Sequence, residues 1–282
     1  MKKLSMLLRS IFYPLLWVLI SLTAAGPASA QADDGRYVVR EVTGVGEASL
    51  EQLTPEEARQ MAMRNARANG IEKAAGTEIV SRTLVRDFSV AGDFIKALSR
   101  GFILNEEVAG WEEHIFKESA DKPGILSYRV TLNLKVASLK GRRDPYFQLR
   151  TQLNRNFFIE GEEAVLKATP TRACYLNIVN LTSENRINLL FPNDYMKNNY
   201  LEENQTLVFP DRSMGNLVLS TTAGHRRDAE AFIVIATKQP FPLKTLLGQD
   251  EGIMVADFYR ALLELPVAEW VEDIMPYEVR KN

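Results

Sequence analysis

The sequence predicts an α+β protein: a small domain with a helix on an antiparallel sheet, followed by a mostly β, sandwich-like domain with a C-terminal helix. Three observations carry this prediction. An alanine-rich helix after residue 54 has clear start and stop signals, apolar and polar residues alternate over 128–136, and short apolar runs recur about every ten residues after 146. Alternation is typical of half-buried strands, and evenly spaced short runs are typical of β-sandwiches.

The first 30 residues have the composition of a secretory signal peptide. Three basic residues precede an apolar run over 11–25, which closes on Ala28-Ser29-Ala30. This order is typical of a cleaved leader. A membrane-spanning helix, the alternative, needs about 20 uninterrupted apolar residues, which a proline, serine and glycine break up here. We expect cleavage after Ala30, a periplasmic location with secretion or surface association left open, and no lipid anchor.

Composition narrows the functions open to the mature chain. The net charge of −2 becomes −5 once the three basic residues of the leader are removed. A mildly acidic protein is a poor nucleic-acid binder, because clustered Lys and Arg supply that affinity. Cys174 is the only cysteine, so no intramolecular disulfide forms, and one Cys with two His cannot supply a structural zinc site. We expect no cofactor, no metal and no membrane span after the leader.

Residues 31–140 are predicted to form the first domain. A strand over 37–43 leads to a helix that starts at Thr54-Pro55-Glu56-Glu57, a capping box with proline at the first helical position, and ends at Gly76. Four further elements are predicted: a strand over 77–85, a short helix over 90–99, a strand over 102–116 with a bulge near Ala109-Gly110, and a strand over 128–136.

Residues 146–282 are predicted to form the second domain, after a short charged junction over 140–145. The seven predicted strands cover 146–153, 164–169, 174–181, 186–191, 205–209, 217–221 and 231–237. The tail is predicted to form an amphipathic helix over 254–263, a short helix over 267–274 and a last edge strand over 277–279.

Catalytic residues are not predicted. The Gly-x-Ser-x-Gly motif is absent. We expect His114 to be a solvated strand residue and Cys174 to be a buried structural thiol. His225 lies in a polar turn before Arg226-Arg227-Asp228. We expect His225 to be a turn residue. The alternative is a hydrolase that uses His225, with Cys174 and Asp228 as conceivable partners.

Five residues are predicted to contact a partner. Aromatic side chains serve as anchors at protein interfaces, and paired arginines suit an acidic partner or a lipid headgroup. The candidates are Trp111, Tyr195, Tyr200, Arg226 and Arg227.

Residues 38–139 resemble the N-terminal domain of flagellar assembly protein T and the related LPP-20-type envelope proteins. The resemblance rests on Gly44-x-Gly46-x-Ala48, Ala62-x-x-x-Ala66, Ala75-Gly76-Thr77 and Val130-Thr131-Leu132. It implies a small α/β module that builds assemblies around the flagellar motor in the Gram-negative periplasm, and it implies no active site.

From about 146 to 280 the chain is similar to a bacterial domain of unknown function. That domain recurs in exported proteins and is also found attached to Ser/Thr kinases and peptidases. The supporting stretches are Phe158-x-x-Gly161-Glu162, Cys174-Tyr175-Leu176, Leu189-Leu190-Phe191-Pro192-Asn193 and Phe232–Thr237. This resemblance implies a fold and carries over no catalytic residue.

Together these patterns predict a non-enzymatic periplasmic protein that binds other envelope proteins, linked to a flagellum-like or secretion structure. The edges of antiparallel sheets offer unpaired backbone groups for such binding. The first alternative is a module that senses a small molecule or glycan, and the second is the His225 hydrolase.

Overall fold

A computed structural model describes residues 37–51, 53–76, 101–117, 123–140, 142–211, 214–243, 245 and 252–282. The predicted leader over 1–30, strand over 77–85 and helix over 90–99 lie outside these residues. Residues 33–282 form one compact unit, and the predicted junction over 140–145 lies inside it.

The α+β prediction is confirmed, and its first part is a helix on a three-stranded antiparallel sheet. The elements are β1 (Tyr37–Ser49), α1 (Pro55–Ala75), β2 (Phe102–Phe116) and β3 (Ile125–Leu139), with strand order β1-β3-β2. The predicted bulge is present, because the register of β2 against β3 shifts between Val108 and Gly110.

Both predicted ends of α1 are confirmed. The Thr54 hydroxyl accepts the Glu57 amide at 3.3 Å, while the Glu57 carboxylate accepts the Thr54 amide at 2.7 Å. These reciprocal bonds satisfy amides that have no partner inside the helix. Gly76 ends the helix with φ of 78°, a left-handed conformation that glycine adopts without steric cost.

The helix lies unusually close to β1 because the facing residues are small. A Cβ atom on Gly44 would overlap the Ala66 carbonyl oxygen, and one on Gly46 would overlap the Ala62 oxygen and the Ala66 nitrogen. Ala62 and Ala66 are themselves fully buried. The Gly-x-Gly and Ala-x-x-x-Ala motifs are therefore the two surfaces of one helix-sheet contact.

The second part of the chain is rich in short strands. They are β4 (Leu149–Leu153), β5 (Phe157–Ile159), β6 (Glu163–Ala164), β7 (Leu166–Pro170), β8 (Cys174–Leu181), β9 (Arg186–Phe191), β10 (Tyr200–Leu201), β11 (Leu207–Phe209), β12 (Leu217–Val218), β13 (Arg227–Thr237), β14 (Ile253–Met254) and β15 (Trp270–Arg280), with α2 (Val255–Leu263) between the last two.

A seven-stranded sheet dominates this part. Its order is β14-β9-β8-β13-β15-β5, with β10 paired to β8, and the smaller sheets are β11-β7-β4 and β12-β6. One core cluster joins residues of the large sheet, such as Phe232 and Val234, to residues of the smaller ones, such as Leu166 and Phe209. Apolar side chains shared between facing sheets make this the sandwich-like arrangement that the strand spacing predicts.

The tail prediction is partly wrong. Only Val267–Glu269 is helical, as a 3-10 turn, and β15 follows directly. The predicted edge strand over 277–279 lies in β15, which pairs with β13 on one side and in parallel with β5 on the other. Eleven paired positions with the buried strand β13 outweigh the local helical signal, because strand formation depends strongly on context.

The core is continuous between the two parts of the chain. Phe102 of β2 stacks on Tyr259 of α2 with ring centroids 4.2 Å apart, and its ring also lies 6.4 Å from Trp270. One cluster of buried residues extends from α1 and its sheet through these rings to β13. None of the helices that the structure describes has the length and apolar composition needed to cross a membrane.

Candidate functional site

Strand β2 presents an exposed apolar strip. Among the described residues β3 is its only partner strand, so β2 is an edge of the three-stranded sheet. We call Val108, Trp111, Ile115 and the neighbouring Leu126 the β2 edge surface; they are 46%, 42%, 66% and 42% exposed. Helix α1 packs mainly on β1 and β3, and α2 also contacts β2. An exposed edge with apolar side chains is a template for pairing with another strand.

The same strand is acidic. It carries four glutamates and no Lys or Arg, and these glutamates are Glu106, Glu107, Glu112 and Glu113. Arg67 of α1 holds Glu106 through two hydrogen bonds of 2.7 and 2.8 Å. Arg129 lies 3.9 Å from Glu112, and both of these side chains are substantially exposed. Glu107 and Glu113 are exposed as well. The edge therefore combines apolar anchors with a negative charge.

The tyrosines predicted to contact a partner lie elsewhere. Tyr195 is 78% exposed in the connection after β9, and Tyr200 is 39% exposed with its ring edge-on to Tyr175 at 5.4 Å. Both belong to the large sheet and its loops, whereas Trp111 belongs to the three-stranded sheet. The structure thus separates the predicted aromatic anchors into two surfaces.

The predicted arginine pair has a structural role that the sequence did not indicate. The Arg226 and Arg227 amides donate to the Glu57 carboxylate at 2.9 and 3.3 Å, which fastens the start of β13 to the start of α1. Burial alone would raise the pKa of Glu57, but hydrogen bonds from Thr54 and the two arginine amides outweigh it and lower that pKa. The Arg226 side chain remains exposed.

His225 lies in the predicted turn before β13, and its side chain is buried there. Its Nδ1 atom lies 2.6 Å from the Asp228 carboxylate, and both side chains are almost inaccessible. Asp228 also accepts the Thr222 amide at 2.5 Å. Burial would raise the pKa of Asp228, but the bonds from His225, Thr222 and Ser183 lower it. Within this turn His225 and Asp228 are buried with their polar groups bonded to one another, while Ala223, Gly224 and Arg226 are exposed.

Glu230 extends this buried network along β13. Its carboxylate accepts Asn180 Nδ2 at 2.8 Å and the Tyr277 hydroxyl at 2.6 Å. Burial raises the pKa of Glu230 despite these bonds. Arg64 of α1 is buried nearby; burial lowers its pKa to about 10, although the charges of Glu230 and Asp228 act in the opposite direction. The alternation of charged residues with alanine before the apolar half of β13 is the signal that could have indicated this cluster.

Among the residues that the structure describes, the hydrogen bond of the His225 ring is to Asp228 and not to a hydroxyl or thiol. Ser183 and His225 both bond to Asp228, and the Ser183 hydroxyl lies 3.2 Å from that of Thr222. Cys174 is not part of the network. The register of β8 against β13 places Cys174 beyond Thr237, and Thr237 itself lies nine residues, or about 30 Å, along the strand from Asp228. Within the described ranges no group of His, Cys, Asp and Glu is arranged to hold a metal ion.

Cys174 should be unreactive in the native protein. It is fully buried, and burial raises the pKa of its thiol to about 12. Since the thiolate is the reactive form, we expect no labelling by an aromatic disulfide reagent at pH 8 until denaturant unfolds the chain. Stoichiometric labelling of the folded protein within minutes would contradict this placement.

Glu272 is a second buried carboxylate, and sequence reasoning missed it. Its side chain is 2% exposed, neither oxygen has a hydrogen-bond partner in the described part of the chain, and the nearest cation, Arg143, lies 3.5 Å away. Burial raises the pKa of Glu272 to about 7, although Arg143 and the Tyr259 hydroxyl lower it. Arg143 also lies over the Trp270 ring at 5.1 Å.

Comparison with known proteins gives one family. Residues 157–240 match the domain of unknown function DUF4384, which confirms that the second part of the chain contains a domain of unknown function. The matched segment runs from β5 through β13 and includes the His225 network. No curated protein matches the chain.

Proposed function

We propose that this chain is an exported protein of the bacterial envelope that works by binding other envelope proteins and catalyses no reaction of its own. The observation that carries the proposal is the β2 edge surface: a 15-residue edge strand with three exposed apolar side chains, beside the exposed Leu126 of β3. Peptide-binding sheets commonly capture an extended partner segment on such an edge, with main-chain bonds giving affinity and alternate side chains giving specificity.

The charge of β2 specifies the kind of partner. Arg67 neutralises Glu106 and Arg129 lies near Glu112, so the exposed Glu107 and Glu113 are the carboxylates of β2 that attract a basic segment. We therefore expect an extended partner segment in which apolar residues alternate with Lys or Arg. Opposite charges at facing positions of an antiparallel pair stabilise it, and like charges destabilise it.

Two sequence features support the envelope assignment. Residues 1–30 read as a cleaved leader, and residues 38–139 resemble the domain of flagellar assembly protein T, whose family builds periplasmic assemblies. The close helix-sheet contact at Gly44 and Gly46 explains why small residues stand at these positions of the motif.

The experiment is crosslinking of the mature protein in its native host, followed by identification of the crosslinked proteins and peptides. We expect an envelope protein that is joined near β2 through a basic segment, and capture that weakens as salt rises. Trp111→Lys and Ile115→Lys place positive charge on the edge and should reduce capture at least about tenfold.

Tyr146→Lys is the matched control, since Tyr146 is 72% exposed and lies outside β2. It should leave capture unchanged, and melting curves of all three variants should match the parent. Full capture by the edge variants, or loss of capture by Tyr195→Lys instead, would refute binding at β2. Recovery of no envelope protein would refute the proposed function itself.

A further inference from the structure

Strand β1 is the other edge of the three-stranded sheet, since β3 is its only partner strand among the described residues. An edge strand turns the amide and carbonyl of every second residue away from its partner, and these groups can pair with another chain. In the later half of β1 they are already bonded, and the side chains that bond them come from α1. The two edges of this sheet therefore differ in what they offer a partner.

Three polar side chains of α1, spaced four residues apart, bond to the main chain of every second residue of β1. We call this set the edge ladder, and its members are Asn65, Asn69 and Lys73. Asn65 Nδ2 donates to the Glu47 carbonyl at 2.7 Å. Asn69 Oδ1 accepts the Val45 amide at 3.1 Å, and Lys73 Nζ donates to the Thr43 carbonyl at 2.9 Å. These are the main-chain groups that an added strand would use.

The spacing of the edge ladder matches that of the strand. Four residues of an α-helix rise about 6 Å, and two residues of a strand span about 6.6 to 6.8 Å. The helix runs antiparallel to β1, so Asn65 bonds to the later part of the strand and Lys73 to the earlier part. The close contact at Gly44 and Gly46 brings the two main chains near enough for short asparagine side chains to make these bonds.

The same bonds identify the outward backbone groups of β2. Since Val45 turns its amide toward α1, Val45 and Thr131 of β3 form a non-hydrogen-bonded pair. Thr131 therefore turns its own amide and carbonyl toward β2, where it faces Gly110. Alternate residues after Gly110 then point their amides and carbonyls away from β3. These residues are Trp111, Glu113 and Ile115.

Helix α2 covers the beginning of β2. Arg260 donates to the Leu104 carbonyl at 2.6 Å. The register shift before Gly110 then interrupts the strand, and bulges at sheet edges commonly end pairing. The stretch over 111–115 lies beyond both features, and neither a further strand nor another main-chain group bonds to its outward side in the described part of the chain.

We infer that the edge ladder takes the place of a neighbouring strand on β1. It closes residues 43–47 to strand addition, and the stretch that remains on β1 is the short one over 37–41. A partner segment is left to β2, where it bonds to the outward groups of Trp111, Glu113 and Ile115. The assignment of the partner to β2 rests on the function proposed above, whereas the closure of β1 rests on the three bonds of the edge ladder.

Amide hydrogen exchange of the full mature chain, followed by NMR, tests the edge ladder. Asn69→Ala removes the acceptor, and the variant should fold because alanine favours a helix. We expect its Val45 amide to exchange at least about tenfold faster than in the parent. Asn69→Asp keeps an acceptor and should keep the slow exchange, as should Gln60→Ala, whose side chain bonds to Glu56 of the same helix. Parental exchange in Asn69→Ala would overturn the inference.

The register gives a second check in the same spectra. In the parent, the amides of Trp111, Glu113 and Ile115 should exchange faster than those of Glu112 and His114, which face β3. The opposite order would mean that the outward groups of β2 have been assigned to the wrong residues.

Removal of the whole ladder tests what it prevents. The triple variant Asn65→Ala/Asn69→Ala/Lys73→Ala should associate with concentration in sedimentation velocity, beyond the parent, because β1 then presents outward groups from 37 to 47 beside the exposed Val39 and Val45. Adding Val45→Lys should reverse this association, since lysine on an edge opposes pairing. Adding Val208→Lys, at a 42% exposed position of β11, should not. A folded triple variant that associates no more than the parent would refute the closure of β1.

Failure of this inference and failure of the proposed function give different results. The triple variant leaves β2 unchanged, so it should capture the crosslinked partner as the parent does. Fast Val45 exchange and new association, without any envelope partner, would support the closure of β1 and refute the proposed function. Parental exchange and association, with a partner still captured at β2, would refute the closure alone.

Discussion

Gly46→Ala is expected to destabilise the protein by about 3 kcal/mol. The added methyl group would overlap the Ala62 carbonyl oxygen and the Ala66 amide nitrogen, which are main-chain atoms of α1 and cannot move aside by changing a rotamer. Helix and strand would have to separate, and the buried alanine face of α1 would lose its contacts. Chemical denaturation at 25 °C measures this change in the free energy of unfolding.

Gly110→Ala is the matched control. Gly110 also lies in a strand of the same sheet, but a Cβ atom there would meet nothing within 4 Å. We expect its free energy of unfolding to stay within about 0.5 kcal/mol of the parent. Equal stability of the two variants would show that α1 does not lie on β1 at the distance described.

Glu272→Gln is expected to stabilise the protein at pH 8 by about 3 kcal/mol and to change it little near pH 4. The pKa of Glu272 is about 7 in the folded chain, against 4.5 in an unfolded one. Below pH 4.5 both states hold the proton. As the pH rises from 4.5 to 7 the unfolded state loses its proton first, so stability falls until the folded carboxyl has ionised as well.

The glutamine variant removes this titration because its amide carries no charge at any pH. Unfolding measured from pH 4 to 8 should therefore show a decline in the parent that is smaller by about 3 kcal/mol in Glu272→Gln, where Glu230, whose pKa burial also raises, still titrates. Glu269→Gln is the control, since the Glu269 side chain is 39% exposed and should keep the parental decline. A parental pH profile in Glu272→Gln would mean that Glu272 is solvated or firmly paired.

The elements of the fold that were predicted correctly have signals confined to a few neighbouring residues. The capping box at Thr54 and Glu57 needs only four residues, and the alternation over 128–136 appears directly in β3. The segment 267–274 was predicted wrongly because its conformation is decided by β13, which lies more than thirty residues earlier in the chain. Pairing between distant segments leaves no local pattern to read.

In the candidate sites, too, some features could be predicted from neighbouring residues and others could not. Trp111 lies exposed on β2, in line with an aromatic residue in a polar strand, and its role as an anchor stays a prediction. The buried environment of His225 and Glu230 could not be predicted, since it depends on Asn180 and Tyr277 from strands far apart in sequence. The burial of Glu272 could not be predicted for the same reason, because the packing of α2 and of the segment around Arg143 removes it from water.

Amide hydrogen exchange across β2, in the free protein and in its crosslink-identified complex, tests the central claim most directly. In the free protein we expect every second amide of β2 to exchange quickly, because alternate amides of an edge strand point away from β3. In the complex those same amides should become protected. Unchanged exchange along β2, with new protection confined to other surfaces such as the loop around Tyr195, would contradict strand addition at this edge.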